Sequence, residues 1–280
     1  MDQPMPLPPQ SDPPLSPRKT LPTMYDLPSE LPGEPGCSHE FHVYQPPLLR
    51  QTFQPVNIDP NEVFVGIDLN IYYNLRYPNW YKRPDWFAVV GVPRLYDNQQ
   101  LRLSYVMWQE QVCPFVVVEL LSPGTEDEDL GQTVRQPGKP PTKWQVYEQI
   151  LRVPYYIVYS RYTEQIQAFH WVAGEYQPMT LNEGRVLIPQ LGLSLGLWQG
   201  SYENIERLWL RWFTLEGEMI LTQTELGLIA QQQVTEAQQQ VTEAQQQAIE
   251  AQQQARLAEE KAAKLAAKLR EMNLNPDDFI

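Results

Sequence analysis

One apolar run narrows the folds open to this chain more than any other segment. In PFVVVELLS, residues 114–122, no polar residue alternates with the apolar ones. Such a run suits a strand covered on both faces rather than one with a wet side. AVVGV at 88–92 has the same character. The exception is Glu119, set between Val118 and Leu120. A carboxylate buried there without a partner costs several kcal/mol or takes up a proton. Unless the carboxyl is protonated, the fold must therefore bring a cationic side chain or a metal ion to this strand.

The surrounding segments supply a sheet for it. VFVGIDLNIYY at 63–73 alternates with period two, which predicts Val63, Val65, Ile67, Leu69 and Ile71 on one face and Asp68 on the other. PDWFAVVGV begins a second strand at Pro84, PFVVVELLS is a third and PYYIVYS at 154–160 a fourth. QIQAFHWV and EYQPMTL flank Ala173-Gly174 and read as a hairpin. In PTKWQVYEQIL at 141–151, Thr142 caps a helix and Gln145, three residues on, completes a capping box. Trp144, Tyr147, Ile150 and Leu151 are then expected on one side of that helix. Strands with an intervening helix define an α/β (α+β) domain, a mixed sheet flanked by helices.

Three segments follow from composition. Residues 1–45 are proline-rich and expected to be extended and largely disordered, with residues 25–45 able to lie along the domain. Residues 46–225 hold the core. From 226 to 272 the motif VTEAQQQ at 234 recurs at 241 and, loosened, at 248 and 255. This repeat puts Val234, Val241, Ala248, Ala255, Ala262 and Leu269 at one heptad position, with Ala237, Ala244, Ala251, Ala258, Leu265 and Met272 three further on. That seam predicts a coiled coil and a homo-oligomer, in either orientation, although alanine buries little area. Residues 273–280 form a short tail.

Charge and cysteine content exclude several classes. The net charge of -13 divides into -4, -6 and -3 over 1–44, 45–225 and 226–280, so no segment has the basic footprint of a tight nucleic-acid binder. Cys37 and Cys113 have no metal-ligand spacing and no disulfide framework, which suits a reducing cytoplasm. No apolar run reaches the roughly 18 residues of a membrane span, and the N-terminus lacks the order of a signal peptide.

The candidate chemistry lies in Asp85, Glu119 and Lys143. Two carboxylates on neighbouring strand ends can hold Mg2+ or Mn2+ through oxygen ligands, leaving positions for water and a phosphate. Lys143 opens the capped helix, where the dipole disfavours a cation unless an anion lies opposite. Each has a plainer reading as well: Asp85 as a turn residue, Glu119 in an internal salt bridge, Lys143 as a surface residue.

The order of Pro84-Asp85, Glu119-Leu120-Leu121-Ser122, Asp129, Lys143 with Tyr147 and then PYYIVYS resembles the Uma-type restriction endonucleases, a family abundant in cyanobacteria, within the PD-(D/E)XK nuclease superfamily. The resemblance covers roughly residues 25–200. It implies a restriction-endonuclease-like fold and a Mg-dependent endonuclease acting on DNA, with Asp85 and Glu119 as metal ligands and Lys143 as the catalytic lysine. Leu121 stands where the superfamily's usual lysine falls, and LGQTVRQPGKPPT makes a longer approach to Lys143 than is common in the family. Asp129 is a structural or supporting carboxylate in this reading. Ser122-Pro123 shapes the strand exit, since His39, His42 and His170 show no triad context. Two alternatives stay open: a catalytically silent oligomeric interaction protein, and a nuclease acting on RNA.

Overall fold

The computed structural model describes residues 11–27, 40–122, 126–136 and 138–272. Cys37, His39, Pro123, the first ten residues and the tail at 273–280 lie outside the described residues.

In chain order, α1 (Pro17–Thr20) and α2 (Glu40–Thr52) precede β1 (Val63–Ile67), β2 (Ile71–Tyr72), β3 (Tyr81–Lys82), β4 (Trp86–Val90) and β5 (Tyr105–Val106). α3 (Met107–Glu110), β6 (Val116–Leu120), α4 (Glu126–Asp129), α5 (Lys143–Gln145) and β7 (Tyr155–Ser160) follow. The chain then runs through β8 (Gln165–Val172), β9 (Glu175–Pro178), β10 (Val186–Ile188), β11 (Leu193–Tyr202), β12 (Ile205–Thr214) and α6 (Gln223–Glu271). It divides into two compact units, residues 1–222 and 223–280.

The central sheet has the order β1-β4-β6-β7-β8-β9, with β6 and β7 parallel and every other pair antiparallel. The mixed α/β arrangement expected from the sequence is present, and the reason β6 lacks polar alternation is visible. Val116, Val118 and Leu120 join one core cluster while Val117 and Leu121 join another. The first cluster is closed by α2, through Phe41, Leu48 and Leu49, and by the antiparallel sheet β10-β11-β12. Gln45 on α2 imitates a strand neighbour: its Nε2 donates to Leu210 O at 2.7 Å and its Oε1 accepts from Leu210 N at 2.9 Å.

Two expectations need correction. The face assigned to Val63 through Ile71 is split, because Asp68 takes a positive φ of 48° and ends β1. Val63, Val65 and Ile67 pack on the first cluster, whereas Leu69 and Ile71 pack on the second. Asp68 is held there by an ion pair with Arg83 at 2.8 Å. The capping box of Thr142 and Gln145 forms as expected, yet after one turn the helix widens into a π-helix over Val146–Leu151. The buried residues are then Val146, Tyr147 and Leu151, and Ile150 turns outward at 42% exposure. Five-residue spacing between Val146 and Leu151 is what a π turn aligns on one side. Within the stretch 25–45 that could lie along the domain, α2 starts at Glu40 and buries Phe41.

The stretch 11–27 runs along the β5–α3 region. Trp108 Nε1 donates to Pro22 O at 2.8 Å, Gln109 Nε2 reaches Pro17 O at 3.0 Å, and Met24 is buried. Ala173 and Gly174, at φ 54° and 104°, form the two-residue turn between β8 and β9. Both residues need positive φ for a turn that follows strand twist. α6 has no buried residue, and among the described residues no helix is long and apolar enough to cross a membrane.

Candidate active site

Antiparallel pairing of β4 with β6 sets Trp86 opposite Val118, so one step back Asp85 falls opposite Glu119 at the sheet end. Residues opposite one another in such a pair point to the same face. Asp85 is tied to β6 twice over. Leu120 N donates to Asp85 Oδ2 at 2.6 Å, and Asp85 N lies 3.4 Å from Glu119 Oε2. Glu119 is fully buried, while the Asp85 side chain keeps 23% exposure. One carboxylate is thus sunk beneath the other, and Asp85 is the open side.

The partner demanded by Glu119 comes from α5. Lys143 Nζ lies 3.1 Å from Glu119 Oε2 and 2.8 Å from Asp129 Oδ1. Tyr147 donates its hydroxyl to Glu119 Oε1 at 2.9 Å. Of the four acidic residues in α4, Asp129 is buried at 1% exposure and faces Lys143. Glu128 accepts from Lys82 Nζ at 2.8 Å and from the Lys143 backbone N–H at 3.0 Å. Anions do lie opposite the lysine at the helix start, which removes the dipole penalty there. The structure therefore brings Asp85, Glu119 and Lys143 together and adds Asp129 to them.

His42 is the residue that sequence reasoning set aside. Its Nε2 is 3.1 Å from Leu120 O and 3.6 Å from Asp85 Oδ1, and its side chain is 9% exposed. The carbonyl can only accept, so Nε2 carries the proton in that contact. The Leu120 peptide is consequently clasped at both ends, by Asp85 at its N–H and His42 at its C=O. The usable signal was not a triad pattern but the capacity of EFHVYQPPLLRQT to be a helix despite Pro46 and Pro47.

Electrostatics follow from the count of charges. Burial drives the Glu119 carboxyl well above its ordinary range; Lys143 opposes this, and Asp129 and Asp85 reinforce it. Burial raises Asp85 too, against the pull of Lys143 and His42. Burial alone would lower the Lys143 ammonium, yet Glu119, Asp129 and Asp85 push it upward and keep it charged. Tyr147 is raised by burial and by the charge of Glu119, so it stays a neutral donor.

This balance tests whether a divalent ion suits the site. Asp85, Glu119 and Asp129 face a single ammonium, and a hard cation matches the oxygen donors that remain in excess. Among the described residues no three His, Cys, Asp or Glu groups form a ready metal cage. An ion such as Mg2+ is held through one or two carboxylates with water and phosphate completing its shell. The residues present fit an open site of that kind, on the side where Asp85 reaches solvent.

A mixed sheet carrying these groups at adjacent strand ends, backed by helices, places the protein in the restriction-endonuclease-like α/β class. The chain belongs to the Uma2 family, described as putative restriction endonuclease, whose family model matches residues 34–206. All six residues of the cluster, from His42 to Tyr147, lie inside that span, and α6 lies beyond it. A search of the curated proteins finds no match.

Proposed function

We propose that this protein is a metal-dependent endonuclease that hydrolyses phosphodiester bonds in DNA, with Asp85 and Glu119 holding Mg2+ or Mn2+ and Lys143 assisting. The observation that carries this reading is the surplus of buried carboxylate around one lysine at an otherwise apolar sheet end. A bound divalent ion would act as a Lewis acid toward the phosphate and lower the pKa of its water.

The chain's own residues have separable roles. Lys143 is kept charged by Glu119, Asp129 and Asp85, so it serves as a donor that neutralises and orients a phosphate oxygen rather than as a base. Tyr147 occupies Glu119 Oε1 and fixes its rotamer, leaving Oε2 toward Asp85. His42 and Leu120 hold Asp85 in place. The chain's net charge of -13 repels a polyanion, so the ion and Lys143 must draw the substrate phosphate in. A cytoplasmic setting agrees with the cysteine content. α6 serves self-association in this reading, and a dimer would bring two sites to the two strands of a duplex.

A second reading, a catalytically silent interaction protein, draws on the same ion pair: Lys143 already neutralises part of the buried charge. Magnesium titration by calorimetry, with DNA and RNA cleavage assays on parent and Glu119→Gln, decides. The nuclease reading expects heat and cleavage from the parent alone, DNA being preferred. An ion-binding heat identical in both proteins, with no cleavage of either polymer, would favour the silent core.

A further inference from the structure

None of the 49 residues of α6 is buried, and Val234, Val241 and Leu265 stand 58%, 56% and 62% exposed. We propose that α6 docks against α6 of a second copy of this chain, and that the two run antiparallel. The inference rests on the self-association reading given above and adds its direction.

Side-chain size along the seam carries the argument. Parallel, in-register helices set each seam residue against itself. Val234 would meet Val234 and Leu265 would meet Leu265, while every layer from Ala244 to Ala262 would meet only alanine. The helices would be wedged apart at both ends around an unfilled middle, which forfeits contact. Antiparallel pairing opposes one seam position to the other. A single offset then sets Val234 level with Ala258, Val241 with Ala251, Ala248 with Ala244 and Leu265 with Gly227. From Gly227 to Leu265 each large residue meets a small one, and the helices can keep one close spacing over that length; Leu269 falls level with Gln223 at the helix end.

Gly227 gives a second, separate indication. Inside a helix it costs about 1 kcal/mol relative to alanine. A Cβ built there meets no atom within 4 Å, so nothing in its own chain requires a glycine. Opposite Leu265 of the second copy, the missing side chain has a use.

Charge points the same way. From Gln223 to Gln254 the helix carries four acidic and no basic residues, and from Ala255 to Glu271 five basic and three acidic. Parallel alignment stacks acid on acid and base on base. Antiparallel alignment at this offset lays the basic stretch 255–271 of each copy along residues 221–237 of the other, so Glu225 and Glu236 meet it and only Glu243 and Glu250 still face acid, a complementarity that also selects orientation.

Orientation can be read by cross-linking the full chain with Cys37→Ser and Cys113→Ser as background. Ala237→Cys and Ala255→Cys are made as single additions, and each is oxidised alone and as a mixture. The antiparallel pair brings 237 level with 255, so the mixture cross-links and neither variant alone does. Cross-linking of each variant by itself, with no gain on mixing, would establish the parallel alignment and overturn the proposal. Light scattering on the same samples separates this from the underlying reading, because a monomer at all concentrations removes self-association itself. Gly227→Leu gives an independent sign: overpacking against Leu265 weakens the antiparallel dimer at least about tenfold. A tighter dimer would instead fit a new leucine layer between parallel helices.

Discussion

Glu119 and Glu236 are both glutamates in regular elements of one chain, and their physics differs in almost every respect. Glu119 is fully buried, with Tyr147 and Lys143 as partners 28 and 24 residues away. Glu236 is exposed on α6 and accepts from Gln232 Nε2, four residues earlier, at 2.8 Å. A buried charge is governed by desolvation and by whatever the fold brings to it, whereas an exposed helical charge answers to neighbours one turn away. Substitutions at the sheet end should therefore have large effects that depend on conditions, and those on the helix small and local ones.

The largest effect is expected from Lys143→Met. It leaves Glu119, Asp129 and Asp85 facing one another without their shared ammonium. Removing one partner of such a pair costs roughly 3–5 kcal/mol, measurable by denaturant unfolding at neutral pH. Acidification should return part of the loss as the carboxylates take up protons. A cost below about 1 kcal/mol would show that Glu119 does not depend on the lysine.

Glu119→Gln sharpens the comparison differently. The amide can turn its oxygen toward Lys143 and the Asp85 N–H, with Tyr147 switching from donor to acceptor. Without divalent ions the variant should be as stable as the parent or more so. The sign follows from the raised Glu119 carboxyl: folding favours its proton, so that stability is complete below the unfolded value, about pH 4, and fades as pH rises through the folded one. The parent should lose stability against Glu119→Gln on going from acid toward neutral pH. With magnesium a hundredfold above its dissociation constant, the parent alone should gain about 2.7 kcal/mol. A variant destabilised at every pH and indifferent to magnesium would leave Glu119 a purely structural salt-bridge partner.

His42→Leu should cost about 1–2 kcal/mol, because the Leu120 carbonyl loses its N–H donor in a buried setting. Glutamine at the same position carries a donor at a similar reach and should recover most of this. Equal melting of His42→Leu, His42→Gln and the parent would remove His42 from the clasp on Leu120.

What could be read from sequence divides along the same line. The apolar run around Glu119, the Thr142–Gln145 capping box, the Ala173-Gly174 turn and the helical repeat at 226–272 are local patterns; the strand, the box and the turn are present, and the repeat lies in the helix Gln223–Glu271. The strand break at Asp68 depends on a positive φ and on Arg83, fifteen residues away. α2 was obscured by Pro46 and Pro47, whose cost is offset by burial of Phe41, Leu48 and Leu49 against β-strands far along the chain. Asp129 facing Lys143 and His42 facing Asp85 are products of tertiary folding, with no spacing in sequence to announce them. The meeting of Asp85 with Glu119 was expected from the family resemblance, whose two carboxylates stand on neighbouring strands, whereas the charge balance around them was not.

The smallest effect is expected at Arg256, whose Nε lies 3.4 Å from Glu260 Oε1, with side chains 80% and 52% exposed. Arg256→Gln keeps helix propensity and removes the charge. An exposed pair four residues apart on a helix contributes only about 0.3–0.5 kcal/mol and is screened by salt. Helicity followed by far-ultraviolet circular dichroism should fall slightly at low ionic strength and match the parent at high salt. The melting transition of the Glu119 sheet should not move. A loss beyond about 1 kcal/mol, or one that salt leaves intact, would mean that the Arg256 charge is held by more than its own turn, such as by Glu236 of a second copy, level with it in the antiparallel pair. The contrast between the two glutamates would then have to be redrawn, with the charges of α6, and not its seam alone, taking non-local partners.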